Sequence, residues 1–174
     1  MRLYPLLLRA CAFALALLFL APAAALATTT MPPTEDIQAQ IDLYRKQVWH
    51  WQRVMGHPVT PTLAARPAQL IERLPLWQAK AERVKRTAQR VPHRGAWLCI
   101  HRYEGSWSDR GAPYYGGLQM DIGFQSTYGR YLLSTKGTAD HWSPLEQMWV
   151  AERAYRSGRG FYPWPNTARS CGLI

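Results

Sequence analysis

Two stretches of the chain carry apolar residues at the three- and four-residue spacing of an amphipathic helix. The first stretch consists of Ile37, Ile41, Tyr44, Val48, Trp51 and Met55. The second consists of Leu70, Leu74, Trp77, Ala81, Val84, Ala88 and Val91. These stripes predict two helices. A segment rich in proline and glycine, residues 56–67, separates them, and we expect the pair to pack as an antiparallel helical hairpin.

The second stripe contains a proline, and the composition changes after it ends. Because proline lacks an amide hydrogen and crowds the preceding turn, we expect Pro75 to kink this helix or to start it afresh. Beyond residues 92–95 the chain becomes rich in aromatic residues, glycines and turn residues. The segment 28–94 is too small to form a substantial hydrophobic core alone, so we expect it to pack against the C-terminal part or against another chain.

The N-terminal segment has the layout of a secretory signal peptide. Arginines precede an apolar run over residues 10–20, and small residues follow as far as Ala27. We expect cleavage there, a mature chain that begins at Thr28, and a secreted protein found outside the cell or on the cell wall. An uncleaved membrane anchor is the alternative. It is disfavoured because the run is short against the ~20 residues that span a bilayer, and because Pro22 interrupts it.

The cysteines predict one disulfide. Removal of the signal peptide also removes Cys11, which leaves Cys99 and Cys171 in an oxidising compartment. The bond would close most of the C-terminal region into one loop and stabilise it by about 4 kcal/mol. A zinc site built from these two cysteines with His101 and His141 lacks recognisable ligand spacing, so we expect no metal and no cofactor.

The positive charge is concentrated in the front half of the mature chain. The formal net charge is +10; residues 28–94 hold eleven Lys and Arg against five acids, and residues 95–174 hold eight against six. For an exported chain the anionic partners are wall polymers, lipid head groups and acidic glycans, and we expect no binding of nucleic acid. We prefer a helical spacer for residues 28–94. The alternative is a basic face that docks on anionic wall polymer.

One carboxylate stands in a setting suited to catalysis. Trp97, Ile100 and Glu104 fall on one face of a short predicted helix, and Gly105 is the usual residue for ending a helix. Apolar neighbours and the exposed carbonyls of the last turn both disfavour the charged form of Glu104. We expect it to hold a proton near neutral pH and to act as a general acid towards a glycosidic oxygen. A solvated glutamate at a helix end is the alternative.

The residues that follow predict a hairpin and a further helix. Residues 113–121 have the pattern of a β-hairpin with a tight Gly116-Gly117 turn, and glycines without side chains would let a sugar ring approach the backbone. A capping box from Ser143 to Glu146 predicts the start of a helix. Glu152 lies on the inner face of that helix. We interpret it as a buried structural acid bonded to backbone, with a second active-site carboxylate as the alternative.

A set of positions across residues 95–174 occurs in the order, and at nearly the spacing, of a known family. The positions are Trp97, Cys99, Glu104-Gly105-Ser106-Trp107, Tyr114 to Gln119, Glu146-Gln147, Val150-Ala151-Glu152, Trp164-Pro165 and Cys171. On these positions the region resembles the resuscitation-promoting-factor family. Members of that family have a lysozyme-like fold, are related to lysozymes and lytic transglycosylases, and act on peptidoglycan with one catalytic glutamate.

The resemblance implies a fold, a site and partners. For residues 95–174 the resemblance implies a lysozyme-like catalytic domain with a short β-hairpin, and it lends no support to the segment 28–94. Taken with the patterns described above, we expect a mainly helical α+β protein with a signal peptide at 1–27, a basic helical hairpin or spacer at 28–94 and this domain at 95–174. Glu104 would be the catalytic residue, and peptidoglycan glycan strands the substrate, with a partner wall hydrolase as a further candidate partner. The candidate substrate-binding residues are Tyr114, Tyr115, Gly116, Gly117, Gln119 and Trp107.

The chain departs from the family in its cysteines. The family commonly has cysteine directly before the glutamate, where this chain has Tyr103, and another almost immediately after the Trp-Pro pair, which Cys171 trails by several residues. One relocated disulfide explains both changes.

Alternatives to a single-glutamate enzyme stay open at this point. Hydrolysis usually needs a second carboxylate, for which Asp109, Asp121 and Glu152 are candidates; a lytic transglycosylase needs one glutamate alone. A wall-binding protein that kept the fold and lost the chemistry is the main rival. A cysteine peptidase built on Cys99 and His101 is weaker, because a bridged cysteine has no thiolate.

Overall fold

The apolar stripes form helices where the sequence predicts them. The computed structural model describes residues 34–62 and 66–174, so the predicted signal peptide lies outside the described residues. The elements are α1 (Thr34–Met55), a 3₁₀ turn (Pro67–Gln69), α2 (Leu70–Ala88), α3 (Arg94–Glu104), β1 (Tyr114–Tyr115), β2 (Met120–Asp121), α4 (Ile122–Tyr128), α5 (Arg130–Lys136), a 3₁₀ turn (Ala139–His141), α6 (Pro144–Ala154), a π-helical turn (Tyr155–Arg159) and α7 (Pro165–Ser170). The expectation of a mainly helical α+β protein is confirmed. No helix in the described part of the chain combines the length and apolar character that a bilayer crossing requires.

The second helix runs through its proline. Pro75 lies inside α2, which extends without interruption from Leu70 to Ala88. The missing amide hydrogen removes one bond, to the carbonyl of Ile71 in the second turn. The expected fresh start at Pro75 is therefore wrong.

Helices α1 and α2 run in the same direction, which corrects the antiparallel hairpin expected from the sequence. Ile37 and Ile41, near the start of α1, share a small apolar cluster with Leu70, Leu74 and Trp77, near the start of α2. An antiparallel pair would place these two starts at opposite ends. The helices lie where the apolar stripes predict them, whereas the direction in which they pack differs from the prediction.

The described start of the connection between the two helices runs back along α1, which permits this parallel arrangement. Trp49 Nε1 donates to the carbonyl oxygen of Thr60 (2.8 Å), and the side-chain amide of Gln52 bonds both the hydroxyl (2.8 Å) and the backbone amide (3.0 Å) of Thr60. Helix α1 is about 33 Å long. The connection over residues 56–69 can extend to about 45 Å, which is enough to return to the start of α1.

The far ends of α1 and α2 join the core of the C-terminal part. Met55 and Ala88 are buried in the same apolar cluster as the C-terminal aromatic residues. Trp149 Nε1 on α6 donates to the carbonyl oxygen of Ala88 (2.6 Å), and Arg156 donates to that of Met55 (2.8 Å). All described residues belong to one compact unit. The helical segment therefore packs against the C-terminal part, as expected.

The predicted disulfide and capping box are both present. Cys99 on α3 is bonded to Cys171, which lies directly after α7. The two cysteines are 72 residues apart in the sequence, and their bond ties α3 to the end of α7. Ser143 and Glu146 form the reciprocal capping box at the start of α6, with Pro144 in its first turn.

Glu146 does more than cap its own helix. Its buried carboxylate lies 2.9 Å from His50 Nε2 on α1 and accepts from Lys136 Nζ on α5 (2.6 Å) and from the backbone amide of Ser143 (2.7 Å). Burial alone raises the pKa of Glu146, but the hydrogen bonds from His50, Lys136 and Ser143 outweigh burial and lower it to about 2. This carboxylate therefore joins three helices in its charged form.

Replacing Glu146 tests this junction. We expect Glu146→Gln to lower the free energy of unfolding at pH 7 by about 2 to 3 kcal/mol, because buried donors lose a charged acceptor. The folded-state pKa lies below the ordinary value of 4.5, so the contribution is complete above about pH 4.5 and is lost as the pH falls towards 2. Urea unfolding measured across this pH range should show that the difference in unfolding free energy between native protein and variant becomes smaller as the pH falls. An equal loss in the exposed-site control Glu72→Gln would contradict the account.

Candidate active site

Helix α3 delivers Glu104 to the surface of the C-terminal part. Trp97 and Ile100 are fully buried on this helix, and Glu104 is its last residue and half-buried. Gly105 follows with a φ of 153°, a value that residues with a side chain rarely adopt, and it ends the helix. The predicted position of Glu104 at the end of a short helix is confirmed.

A threonine on the last helix fixes one oxygen of this carboxylate. The hydroxyl of Thr167 donates to Glu104 Oε1 (2.7 Å). Thr167 lies on α7, whose end is bonded to α3 through Cys99 and Cys171. The disulfide therefore restrains the helix that positions Glu104.

The predicted hairpin lies beside Glu104. Tyr114 pairs with Asp121 and Tyr115 with Met120, and the turn closes through the amide of Gln119, which donates to the carbonyl oxygen of Gly116 (3.0 Å). The side-chain amide nitrogen of Gln119 also donates to Gly116 O (3.0 Å) and to Asp109 Oδ2 (2.8 Å). Because its amide hydrogens bond to protein oxygens, Gln119 can offer a ligand its carbonyl oxygen.

Two adjoining cavities form a groove next to Glu104. The smaller, about 210 Å³, is lined by Glu104, Tyr114, Gln119, Pro163, Trp164, Pro165 and Asn166. The larger, about 520 Å³, shares Tyr114, Gln119, Pro163 and Trp164 with it and continues over Tyr128 and Arg159. We call the two cavities together the groove. It combines aromatic rings with a few polar groups and is open to solvent along its length.

The structure places only some of the predicted substrate-binding residues in the groove. Tyr114, about half exposed, and Gln119 line both cavities. Trp107 stacks on His101 with 3.9 Å between ring centroids, and Tyr115 packs against the core. Neither lines the groove, because their rings are engaged in packing.

The two hairpin glycines are required for packing inside the protein. A β-carbon at Gly116 would lie 2.5 Å from Gln147 Oε1, and one at Gly117 would lie 2.6 Å from His101 Nδ1 and 2.7 Å from Trp107 Cε3. The buried Gln147 also accepts from the amide of Gly117 (2.9 Å). Protein side chains fill the space that a β-carbon would need at both positions, and the contact of these glycines with a sugar stays a prediction.

The candidate second carboxylates differ in their surroundings. Glu152 is buried, accepts from Trp97 Nε1 (3.1 Å) and lies 3.0 Å from His93 Nδ1, so its role is structural, as preferred, with side chains as partners instead of backbone. Asp109 bonds to Gln119. Asp121 caps α4 through the amide of Phe124 (2.6 Å) and lines only the larger cavity. Among the described residues that line the smaller cavity, Glu104 is the one carboxylate.

Helix α7 and the threonine on it are not among the elements predicted from the sequence. Pro165 opens this short helix, which carries Thr167 to the site. A proline after Trp164 is a helix-start signal and could have predicted this element. The contact with Glu104 crosses 63 residues, and no local pattern reveals it.

Comparisons with models of protein families, with curated proteins and with solved structures find no match to this chain. The resemblance to the resuscitation-promoting-factor family stays a prediction.

A glycine substitution tests the packing role of the turn. We expect Gly117→Ala to lower the free energy of unfolding by about 2 to 3 kcal/mol, since the new methyl group would overlap His101 and Trp107. Gly95→Ala is the matched control. It adds the same atom in α3 with no neighbour within 4 Å and should stabilise the protein by about 0.5 to 1 kcal/mol. Urea unfolding measures both, and a Gly117→Ala protein as stable as the native one would contradict the account.

Proposed function

We propose that this chain is an exported, lysozyme-like enzyme that cleaves the glycan strands of peptidoglycan with Glu104 as general acid and base. The observation that carries the proposal is the position of the Glu104 carboxylate in the smaller cavity of the groove, between Tyr114 and Trp164. A carboxylate with such neighbours can reach a glycosidic oxygen only if a sugar chain lies along the groove. The shape and the lining of the groove fit such a chain.

The groove offers the two kinds of contact that recognise sugars. Aromatic rings such as Tyr114 pack against the apolar faces of pyranose rings, and they bury area at a low cost in entropy. The carbonyl oxygen of Gln119 and the amide of Asn166 are polar groups within reach of hydroxyl and N-acetyl groups. The two adjoining cavities, of about 210 and 520 Å³, have room for more than one sugar unit.

The chemistry needs one carboxylate in two successive roles. Protonated Glu104 donates its proton to the glycosidic oxygen, and the bond between that oxygen and the anomeric carbon breaks. The resulting carboxylate takes the proton from the hydroxyl of the muramic acid residue as that oxygen attacks the anomeric carbon. The products are an anhydro sugar end and a free hydroxyl on the leaving strand, and Glu104 regains its proton. Thr167 holds Oε1, which leaves Oε2 to exchange the proton.

The single carboxylate of the smaller cavity supports this transglycosylase route over hydrolysis. A hydrolase places a second carboxylate about 5 to 9.5 Å from the first, on the opposite face of the sugar. Asp109 bonds to Gln119, and Glu152 is buried away from the groove. Asp121 remains as the groove-lining acid that could serve a hydrolytic route.

The disulfide supports export. Bonds of this kind persist outside the cytosol, and Cys99 joined to Cys171 fits a protein that works at the cell wall. The same bond removes the thiolate on which a Cys99 peptidase would depend.

Substitution of the proposed catalytic residue tests the function. We expect Glu104→Gln to reduce the release of soluble fragments from purified peptidoglycan by at least about 100-fold, since the amide cannot donate a proton as an acid does. Mass spectrometry of the native enzyme's products should show ends lighter by one water, the mark of anhydro sugars.

The control removes the same charge elsewhere. Glu72→Gln changes an exposed residue of α2 and should leave release unchanged. If native protein sediments with wall material and releases no soluble fragments, the chain is a wall-binding protein and the proposed enzyme is refuted. Full release by Glu104→Gln would overturn the assignment of Glu104.

Thr167 is expected to act as a positioning residue. We expect Thr167→Val, which keeps the shape and removes the donor, to lower kcat on soluble glycan fragments roughly tenfold with little change in KM. Thr167→Ser restores the hydroxyl and should recover most of the rate. If Thr167→Val and Thr167→Ser lose activity equally, the hydroxyl has no positioning role.

A further inference from the structure

Three arginines follow one another from the end of α6 into the π-helical turn. We call Arg153, Arg156 and Arg159 the arginine row; the first lies in the last turn of α6 and the other two in the turn Tyr155–Arg159. Within residues 34–62 and 66–174, none of the three forms an ion pair with a carboxylate. Three neighbouring positive charges without an acidic partner form a surface that attracts anions.

Two members of the row line a pocket of their own. Arg153, Arg156 and Ser157 surround an open cavity of about 280 Å³ together with Gly56. Arg156 donates to the carbonyl oxygen of Met55, so the end of α1 holds this guanidinium in place (2.8 Å). Burial and, after it, the charge of Arg156 lower the pKa of Arg153. An anion in the pocket would relieve the repulsion between the two guanidinium groups.

The third member connects this pocket to the groove. Arg159 lines the larger cavity of the groove, and so does Tyr128. The hydroxyl of Ser157, which lines the arginine pocket, donates to the hydroxyl of Tyr128 (3.3 Å). Arg159 is close enough to Tyr128 to contribute, after the bond from Ser157, to lowering its pKa. The row therefore leads from the far end of the groove, away from Glu104, into the arginine pocket.

Among the described residues that line the larger cavity, Asp121 is the one acid. Asp121 accepts a hydrogen bond from the backbone amide of Phe124 and caps α4. It forms no ion pair with Arg159 in the described part of the chain, so this guanidinium group can pair with a carboxylate of a ligand.

We propose that the arginine row binds the carboxylates of peptide stems attached to the glycan strand, so that the enzyme selects peptide-bearing peptidoglycan over neutral polymers of N-acetylated sugars. This inference rests on the proposed function, because it takes the strand to lie in the groove. Guanidinium groups match carboxylates in geometry and form paired, charge-assisted hydrogen bonds with them. A stem that branches from a sugar in the larger cavity would pass Arg159 and reach the pocket of Arg156 and Arg153.

A binding experiment tests the row without relying on cleavage. The probe is a soluble tetrasaccharide fragment of peptidoglycan with its peptide stems, either native or with its carboxylates converted to amides. Calorimetry measures binding of both forms to Glu104→Gln protein, which removes the proposed turnover. We expect the native fragment to bind about tenfold tighter than the amidated one, which corresponds to about 1.4 kcal/mol.

Variants assign the preference to the row. Adding Arg156→Gln and Arg159→Gln should abolish the preference, so that the native and amidated fragments bind with equal affinity. An unfolding curve like that of the Glu104→Gln protein reports that the fold is intact. Arg159→Gln alone, at an exposed side chain that holds no helix end, should reduce the preference at least threefold. Arg83→Gln removes one exposed charge from α2 and should keep the full preference.

Several outcomes would overturn the proposal. They are equal binding of the native and amidated fragments, no binding of either, a full preference in the Arg159→Gln protein, or an equal loss in the Arg83→Gln protein. A preference that depends on the row in a protein that releases no fragments from wall would support the row and refute the proposed enzyme.

Discussion

The position of one carboxylate depends on how helix α3 is fixed at its two ends. Near its start, Trp97 is buried and bonds to the carboxylate of Glu152, which lies on α6. At its end, the hydroxyl of Thr167 holds Glu104, and the disulfide keeps α7 in place. A loosening at either end would move the carboxylate relative to the groove. The position of the carboxylate therefore depends on how well α3 is held, and the disulfide between Cys99 and Cys171 contributes to this directly.

The helical segment before α3 contributes to the same framework. Helices α1 and α2 end against α6, where Trp149 bonds to the carbonyl of Ala88 and Glu146 bonds to His50 of α1. Helix α6 also carries Glu152 and leads into the arginine row. The parallel pair thus supports the helix that holds both the start of α3 and the far end of the groove, a role beyond that of a spacer.

Local patterns in the sequence predicted much of the fold and part of the site. The stripes of α1 and α2, the position of Glu104 before Gly105, the hairpin and the capping box each depend on neighbouring residues, and each is present. Contacts between distant residues were not predictable in the same way. The parallel direction of α1 and α2 depends on a connection that returns along α1, and the roles of Gly116 and Gly117 depend on Gln147, some 30 residues later. Thr167 became part of the site because α7 folds back on α3.

The structure of Glu104→Gln protein with a bound peptidoglycan tetrasaccharide would test the central claim most directly. The account predicts a sugar ring against Tyr114 and a glycosidic oxygen within about 3 Å of the residue 104 side chain, the reach of a hydrogen bond. A fragment bound elsewhere, or one in the groove whose glycosidic oxygens all lie beyond the reach of residue 104, would contradict the account.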